Sequence, residues 1–228
     1  MQTQPSSSAS HSQTLERGLR VLRVLADEPD GLSVSELAAE LETHRAGIYR
    51  LLGPLADQRL VVRGAGGRYT LGLGLLELAG AVRSRLQEVA VRELRLLADE
   101  VRATTALTIR DGDEAVVAVV VEPTSTDMHI AYRPGLRHPL DRAAPGIALL
   151  AGSSPLVGER PEVEVCRERG WAVTCGELLP GATGVGVPIL VPGRPTEASI
   201  SAVWIEQRDP GSVAESVLRA AQAIAAAL

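Results

Sequence analysis

From residue 15 the apolar positions recur at helical spacing. Leu15, Leu19, Leu22 and Leu25 predict a helix that starts near Ser12 or Thr14 and ends before Pro29-Asp30-Gly31, a strong breaker. A second, short helix follows in LSVSELAAEL. It opens with a capping box, in which Ser33 accepts from the Glu36 N–H and the Glu36 side chain reaches back. Leu37, Ala38 and Leu41 share its inner face. Glu42 and Thr43 make a corner, with Thr43 as the N-cap of the next helix. In that third helix Ile48, Leu51, Leu52 and Leu55 point inward, while His44, Arg45, Tyr49 and Arg50 point out. Pro54 removes one hydrogen bond from its last turn, away from the end that carries the exposed basic face. Residues 60–63 and 68–71 then read as two strands, and Gly64, Ala65, Gly66 and Gly67 supply the positive φ angles of a hairpin. A short helix, a corner, a helix with a basic and aromatic outer face, and a hairpin together form the pattern of a winged helix-turn-helix.

Leu75, Ala79, Val82 and Leu86 continue at spacings of four, three and four, and Ala90, Leu94, Leu97 and Val101 repeat them. The first set reads as a linker helix over 73–88, the second as the opening helix of a new domain. The linker stripe serves either core packing or a dimer seam. Strands are predicted over 105–110, 115–121, 127–132, 171–175, 184–191 and 197–206. The run AVVAVVV within 115–121 suggests burial on both faces. Pro145 suits the first turn of a helix through Gly146, Ile147, Leu149 and Leu150. Another helix spans 161–169 and stops at Gly170. The last opens with Ser212 and Glu215 as a capping box and buries Leu218, Ala221, Ile224 and Leu228. Strands and helices do not strictly alternate, so the sheet is mainly antiparallel and the class is α+β. The resulting organisation is a disordered Ser- and Gln-rich tail at 1–11, the winged helix at 12–72, the linker helix at 73–88 and a second domain at 89–228.

Charge sharpens this division. The chain of 228 residues has a net charge of −5, and all its cations are arginine. Between 43 and 71, however, Arg45, Arg50, Arg59, Arg63 and Arg68 face only Asp57, a local excess of 5 − 1 = +4. Phosphate binding needs such a patch rather than a basic protein. No apolar run approaches the ~20 residues that span a bilayer, and the first residues lack a secretory pattern. Cys166 and Cys175 read as small buried thiols in a reducing compartment, so a cytoplasmic location is expected, without a membrane partner, metal or cofactor. No nucleophile elbow, zinc-protease helix or phosphate loop supports an enzyme. The glycine-rich GATGVG at 181–186 leads into a strand, not a helix, and so is no dinucleotide fingerprint.

The outer face of the third helix is expected to enter the major groove of DNA. Arg45 and Arg50 reach either guanine edges, as bidentate donors, or phosphate. His44 and Tyr49 suit a phosphate or a thymine methyl, and Arg63 and Arg68 on the wing suit phosphate or minor groove. Ser33, at a helix start, suits presenting N–H groups to a phosphate, a role with which simple capping is compatible.

In its order and spacing of LERGLRVLRVLAD, LSVSELAAEL, IYRLLGPL, GRYTLGLGLLELA, PLDRAAPGIALLA, ERGWAVTCGE and VGVPI, the chain resembles the IclR-type bacterial transcription regulators. The resemblance implies an N-terminal winged helix, a linker helix and a C-terminal GAF-like effector domain. It also implies homodimers or homotetramers on palindromic double-stranded operators, with control by a small molecule. Both repressors and activators belong to the family. Its pocket lies between the sheet and the central helix. By motif position Gly146 begins that helix and offers free N–H groups to a carboxylate or carbonyl. Glu177, Ser199 and Ser201 are the polar pocket candidates, their alternative being solvent-facing positions. Arg142 is either a counter-charge to an acidic effector or an exposed arginine. Ile147 stands where the family usually has Lys, Gly47 where Thr is common, and the segment between Gly152 and Glu164 is short. A second reading is a ligand-independent DNA-binding protein whose C-terminal domain only oligomerises. A third, more remote, is an enzyme with an accessory winged helix.

Overall fold

Helix α1 (Gln13–Ala26) starts where Ser12 Oγ accepts from the Leu15 N–H at 3.4 Å. Its buried face is Gly18, Val21 and Leu25, with Leu22 half-buried beside them; of the expected leucine series the first two fall outside it, Leu15 being 63% and Leu19 51% exposed. At 3.6 residues per turn these two lie roughly 100° round the helix from the stripe that packs. The computed structural model describes residues 12–81, 85–126, 130 and 133–228, and the chain divides into two compact units, Met1–Arg83 and Ser84–Leu228.

Helix α2 (Val34–Glu40) carries both bonds of the expected capping box. Glu42, in the left-handed region at φ 49°, turns the chain into α3 (Arg45–Asp57). The N-cap of α3 is His44 rather than Thr43, because the Thr43 N–H is already bonded to the Ala38 carbonyl (2.9 Å) and keeps Thr43 in the turn. Strands β1 (Val61–Arg63) and β2 (Tyr69–Leu71) pair antiparallel around a 3-10 turn with Gly66 at φ 72° and Gly67 at φ 78°. Leu32 adds a bridge to Tyr69. The core of this unit joins Val21, Leu37, Ile48, Leu52 and Val61. Helix α4 (Gly74–Ala81) follows, with Leu73, Leu76 and Leu78 exposed. Of the linker stripe, Leu75 is half-buried and Ala79 exposed, while Val82 lies outside the described residues.

The second unit is a six-stranded sheet between helices, every pair antiparallel. Its strands are β3 (Thr104–Asp111), β4 (Glu114–Val121), β5 (Arg137–Pro139), β6 (Ala172–Cys175), β7 (Thr183–Pro188) and β8 (Ala198–Trp204), in the order β5-β4-β3-β8-β7-β6. Helices α5 (Arg85–Val101) and α8 (Pro210–Ala226) cover one face, against Leu107, Val185, Val187 and Ile200. Helix α6 (Ala143–Ala151) covers the other, with α7 (Pro161–Arg169) packed on α6 and β6. The class is α+β, as the sequence indicates.

Several details differ from expectation. The valines of β4 are mostly half-buried, because β5 pairs only with residues 114–116 of that strand. The strand expected over 127–132 lies outside the described residues except Ile130, which is buried but not in a strand. β5, too short and rich in proline context to stand out, is the strand the sequence does not announce. Helix α6 begins at Ala143, three residues before Gly146. Helix α8 is capped by Asp209, which accepts from the N–H groups of Gly211 and Ser212. Pro210, preset for the first helical position, starts that helix two residues ahead of Ser212, so the Ser212–Glu215 box does not form. Cys166 is buried as expected, but Cys175 is exposed at the end of edge strand β6.

Candidate DNA interface and candidate small-molecule pocket

His44, Arg45, Tyr49 and Arg50 are all exposed at the start and on the outer face of α3, with Ile48, Leu51 and Leu52 buried behind them. No acid lies in the first turn. Arg63 is exposed on β1. Among the described residues, none of Arg45, Arg50 and Arg63 is in an ion pair.

Arg68 and Ser33 are spent differently. Arg68 turns back from the wing: Nη2 and Nε donate to the Gly31 carbonyl (2.8 and 3.1 Å), and Nη1 lies 3.3 Å from Glu36 Oε2. The Ser33 N–H donates to Glu36 Oε2 at 2.7 Å, so it is not open to a phosphate. The Glu36 carboxyl is held below its ordinary range, first by the Ser33 N–H, with Arg68 adding to it. Glu36 thus joins α2 to the wing. The capping box is legible in sequence; its partner Arg68, 32 residues on, is not.

The pocket of the second unit lies between the sheet and the start of α6. Gly186 lets the helix come down on β7, for a Cβ there would stand 2.4 Å from the Ala144 carbonyl oxygen. Gly146 is a packing glycine inside the helix, where a Cβ would stand 2.5 Å from the Leu140 oxygen; it does not offer the helix-start N–H groups expected of it. Those belong to Ala143 and Ala144, and both are occupied. Ala143 N–H donates to Glu177 Oε2 (2.7 Å) and Ala144 N–H to Thr174 Oγ1 (3.0 Å). Arg160 adds two bonds to the Glu177 carboxylate, at 3.1 and 3.0 Å, while Arg142 donates to the Glu177 backbone carbonyl at 2.9 and 2.6 Å. The Arg160 bonds are the foremost cause that holds the Glu177 carboxyl below its usual range, against a smaller opposing effect of burial.

Glu177 and Ser201 therefore line the pocket, whereas Arg142 and Gly146 hold its frame. Ser199 and Ser201 do share one face of β8, and it is a buried face, not a solvent one. Ser199 is committed to the Pro145 carbonyl at 2.9 Å. Ile147 points away, into Ala148, Val163, Cys166 and Ala172, so the position where Lys is usual has no part in the lining. The cavity itself measures about 40 Å³, and about 480 Å³ when the open space at its mouth is counted. Its apolar wall includes Ala106, Val117, Leu178, Leu179 and Val203. Sequence reasoning missed Thr108, His138 and Thr174. Among the described residues, the buried Thr108 Oγ1 and His138 Nε2 of this lining have no hydrogen-bond partner.

Among the described residues no group of three or more His, Cys, Asp or Glu could hold a metal, and no helix is long and apolar enough to cross a membrane.

Residues 14–65 match the model of the IclR helix-turn-helix domain. The chain is 25% identical over 221 residues to the HTH-type transcriptional regulator KipR of Bacillus subtilis, covering 86% of this chain and 88% of that protein. It is 30% identical over 145 residues to the HTH-type transcriptional repressor AllR of Escherichia coli K12, over 61% of this chain and 52% of AllR. Its fold matches the IclR of Thermotoga maritima at TM-score 0.76 and 24% identity, covering 95% of this chain and 98% of that one. An IclR homolog from Microbacterium hydrocarbonoxydans, complexed with 4-hydroxybenzoate, matches at TM-score 0.79 and 24% identity, over 95% and 99% of the two chains. These relatives are regulators rather than enzymes. Residues 14–65 thus form an IclR-type helix-turn-helix domain, and over most of its length the chain is similar to IclR-type bacterial transcription regulators in sequence and in fold.

Proposed function

We propose that this regulator binds a palindromic operator through α3 and the wing, and that a small molecule in the pocket of the second unit controls that binding. Arg45, Tyr49, Arg50 and His44 form the groove-facing set, with Arg63 on phosphate or minor groove. The effector has to favour one arrangement of the DNA-binding units over another, since a ligand indifferent to the two shifts nothing. The linker region 73–88 is the lever. Exposed Leu15 and Leu19 on α1, together with Leu73, Leu76 and Leu78 at α4, support a homodimer or homotetramer that reaches two half-sites, acting in the cytoplasm.

The observation that carries the sensor reading is the pair of buried, unpartnered atoms Thr108 Oγ1 and His138 Nε2 in one cavity. A domain that only oligomerised would have no reason to leave polar groups unsatisfied around a hole. The bound 4-hydroxybenzoate of the Microbacterium homolog supports a small-molecule role for this fold. The test is footprinting on the gene's own upstream region across a salt series, with wild type and the Arg45→Ala, Arg50→Ala double variant. Specific protection lost in the double variant is the expected result; wild-type protein that binds no DNA even at low salt refutes the proposal.

A further inference from the structure

The pocket's polar groups say which class of molecule it accepts. Its anion-binding position is already filled by the protein: the Glu177 carboxylate sits on the Ala143 N–H at the positive end of α6, and Arg160 holds it there. Among the described residues Glu177 is also the one acidic or arginine side chain in the lining; Arg160 is bonded to its carboxylate and Arg142 to its backbone carbonyl. A second carboxylate entering here would meet a like charge and lose its hydration without a cation in return.

The unpartnered groups call for something else. His138 Nδ1 lies 2.9 Å from the Pro139 carbonyl, which can only accept. With its hydrogen on Nδ1, the ring keeps at Nε2, which has no partner among the described residues, a lone pair that can accept. Thr108 adds a hydroxyl that can donate or accept. Ser201 and Thr174, whose hydroxyl is engaged by the Ala144 N–H, complete the polar part, and most of the remaining wall is apolar and aliphatic, with Val117, Leu178 and Leu179.

We infer that the effector of this regulator is a neutral, largely apolar small molecule whose hydroxyl donates to His138 Nε2 and meets the Thr108 hydroxyl, and not an organic acid. This rests on the reading of the cavity as the effector pocket. It departs from a carboxylate at the start of α6, one of the two groups expected there, and the reason is Glu177.

Matched probes test it. Titration calorimetry on the full chain at neutral pH compares 4-hydroxybenzyl alcohol with 4-hydroxybenzoate, which is ionised there. The alcohol is expected to bind roughly tenfold or more tightly than the acid. Thr108→Val, nearly isosteric, is expected to weaken the alcohol by roughly three- to tenfold with the thermal melt unchanged. Equal or tighter binding of the acid overturns the inference while leaving the pocket an effector site. Undiminished binding of the alcohol to the Thr108→Val variant overturns the assigned contact. If neither probe binds while operator binding is intact, both this inference and the sensor reading fall, and the DNA-binding proposal stands.

Discussion

The Arg68 guanidinium grips the Gly31 carbonyl through two nitrogens, at 2.8 and 3.1 Å, and so ties the wing to the turn before α2. Gly31 itself sits at φ 70°, with a hypothetical Cβ only 2.4 Å from the Tyr69 carbonyl oxygen. The two residues form one joint, and the neighbouring Arg63 has no part in it. Arg68→Ala is therefore expected to destabilise the first unit by roughly 1–2 kcal/mol, measured by urea unfolding. Arg63→Ala leaves stability unchanged and lowers the salt dependence of DNA binding by roughly one counterion. An Arg68→Ala variant with wild-type stability and a reduced salt slope would return Arg68 to the DNA contacts.

Among the described residues, Arg45 and Arg50 differ from Arg68 in being exposed and in no ion pair. Each is expected to cost about 1–3 kcal/mol of operator affinity as alanine, without a change in melting temperature. Competition with random DNA separates the two roles open to them. A base contact relaxes sequence preference at one position, whereas a phosphate contact weakens all sequences alike.

The winged helix is legible because its signals are local. The Ser33–Glu36 box lies within four residues, and Ile48, Leu51 and Leu52 within five. The pocket is not, because its parts meet only across the sheet. Thr108 is just another threonine of a strand, and His138 sits in a three-residue strand that pairs with residues 114–116. Glu177 is suggested by its motif, but that its carboxylate caps α6 depends on the Ala143 start of that helix. The leucines of α1 mislead for a related reason. Period alone does not say which of two overlapping stripes packs, and Gly18, Val21 and Leu25 face the core.

Glu177 also gives the second unit a pH signature. Its folded carboxyl titrates below the ordinary range, chiefly through the Arg160 bonds. A lowered folded value means stabilisation that is present above the unfolded value and is lost as pH falls through the folded one. Glu177→Gln should therefore lose more stability against wild type at neutral pH than in acid, once the pH has fallen far enough for the wild-type carboxylate itself to be protonated. Urea unfolding at the two pH values checks this; an equal difference at both removes the ionised pair as its cause.

The two cysteines should separate cleanly. Cys166 is buried beneath α6, and burial pushes its thiol up to about 11, whereas Cys175 is exposed. A thiol reagent such as Ellman's is expected to label one cysteine rapidly in the native protein and both in denaturant, because the thiolate is the reacting form and needs access. Cys175→Ser should abolish the rapid native phase. Rapid labelling that survives in this variant would place Cys166 within reach of solvent.

Gly186 decides whether the pocket exists in its present shape. The glycine stands in β7 opposite Ser201 of β8, beneath the first turn of α6. A methyl group there would meet the Ala144 carbonyl carbon at 2.5 Å and the Pro145 nitrogen at 2.7 Å, both backbone atoms that cannot rotate aside. The helix has to lift from the sheet, and with it the Ala143 N–H that holds Glu177. Gly186→Ala is expected to destabilise the second unit by about 1–3 kcal/mol, as over-packing does. Gly184, two residues earlier on the same face, has Ala144 Cβ at an ordinary 3.9 Å, so Gly184→Ala is the control and should cost much less. Equal losses in the two variants would mean that the general cost of alanine in a strand, and not the approach of α6, is being measured. A larger loss at Gly186, together with a weakened pH dependence, would tie the seat of the helix to the Glu177 cap.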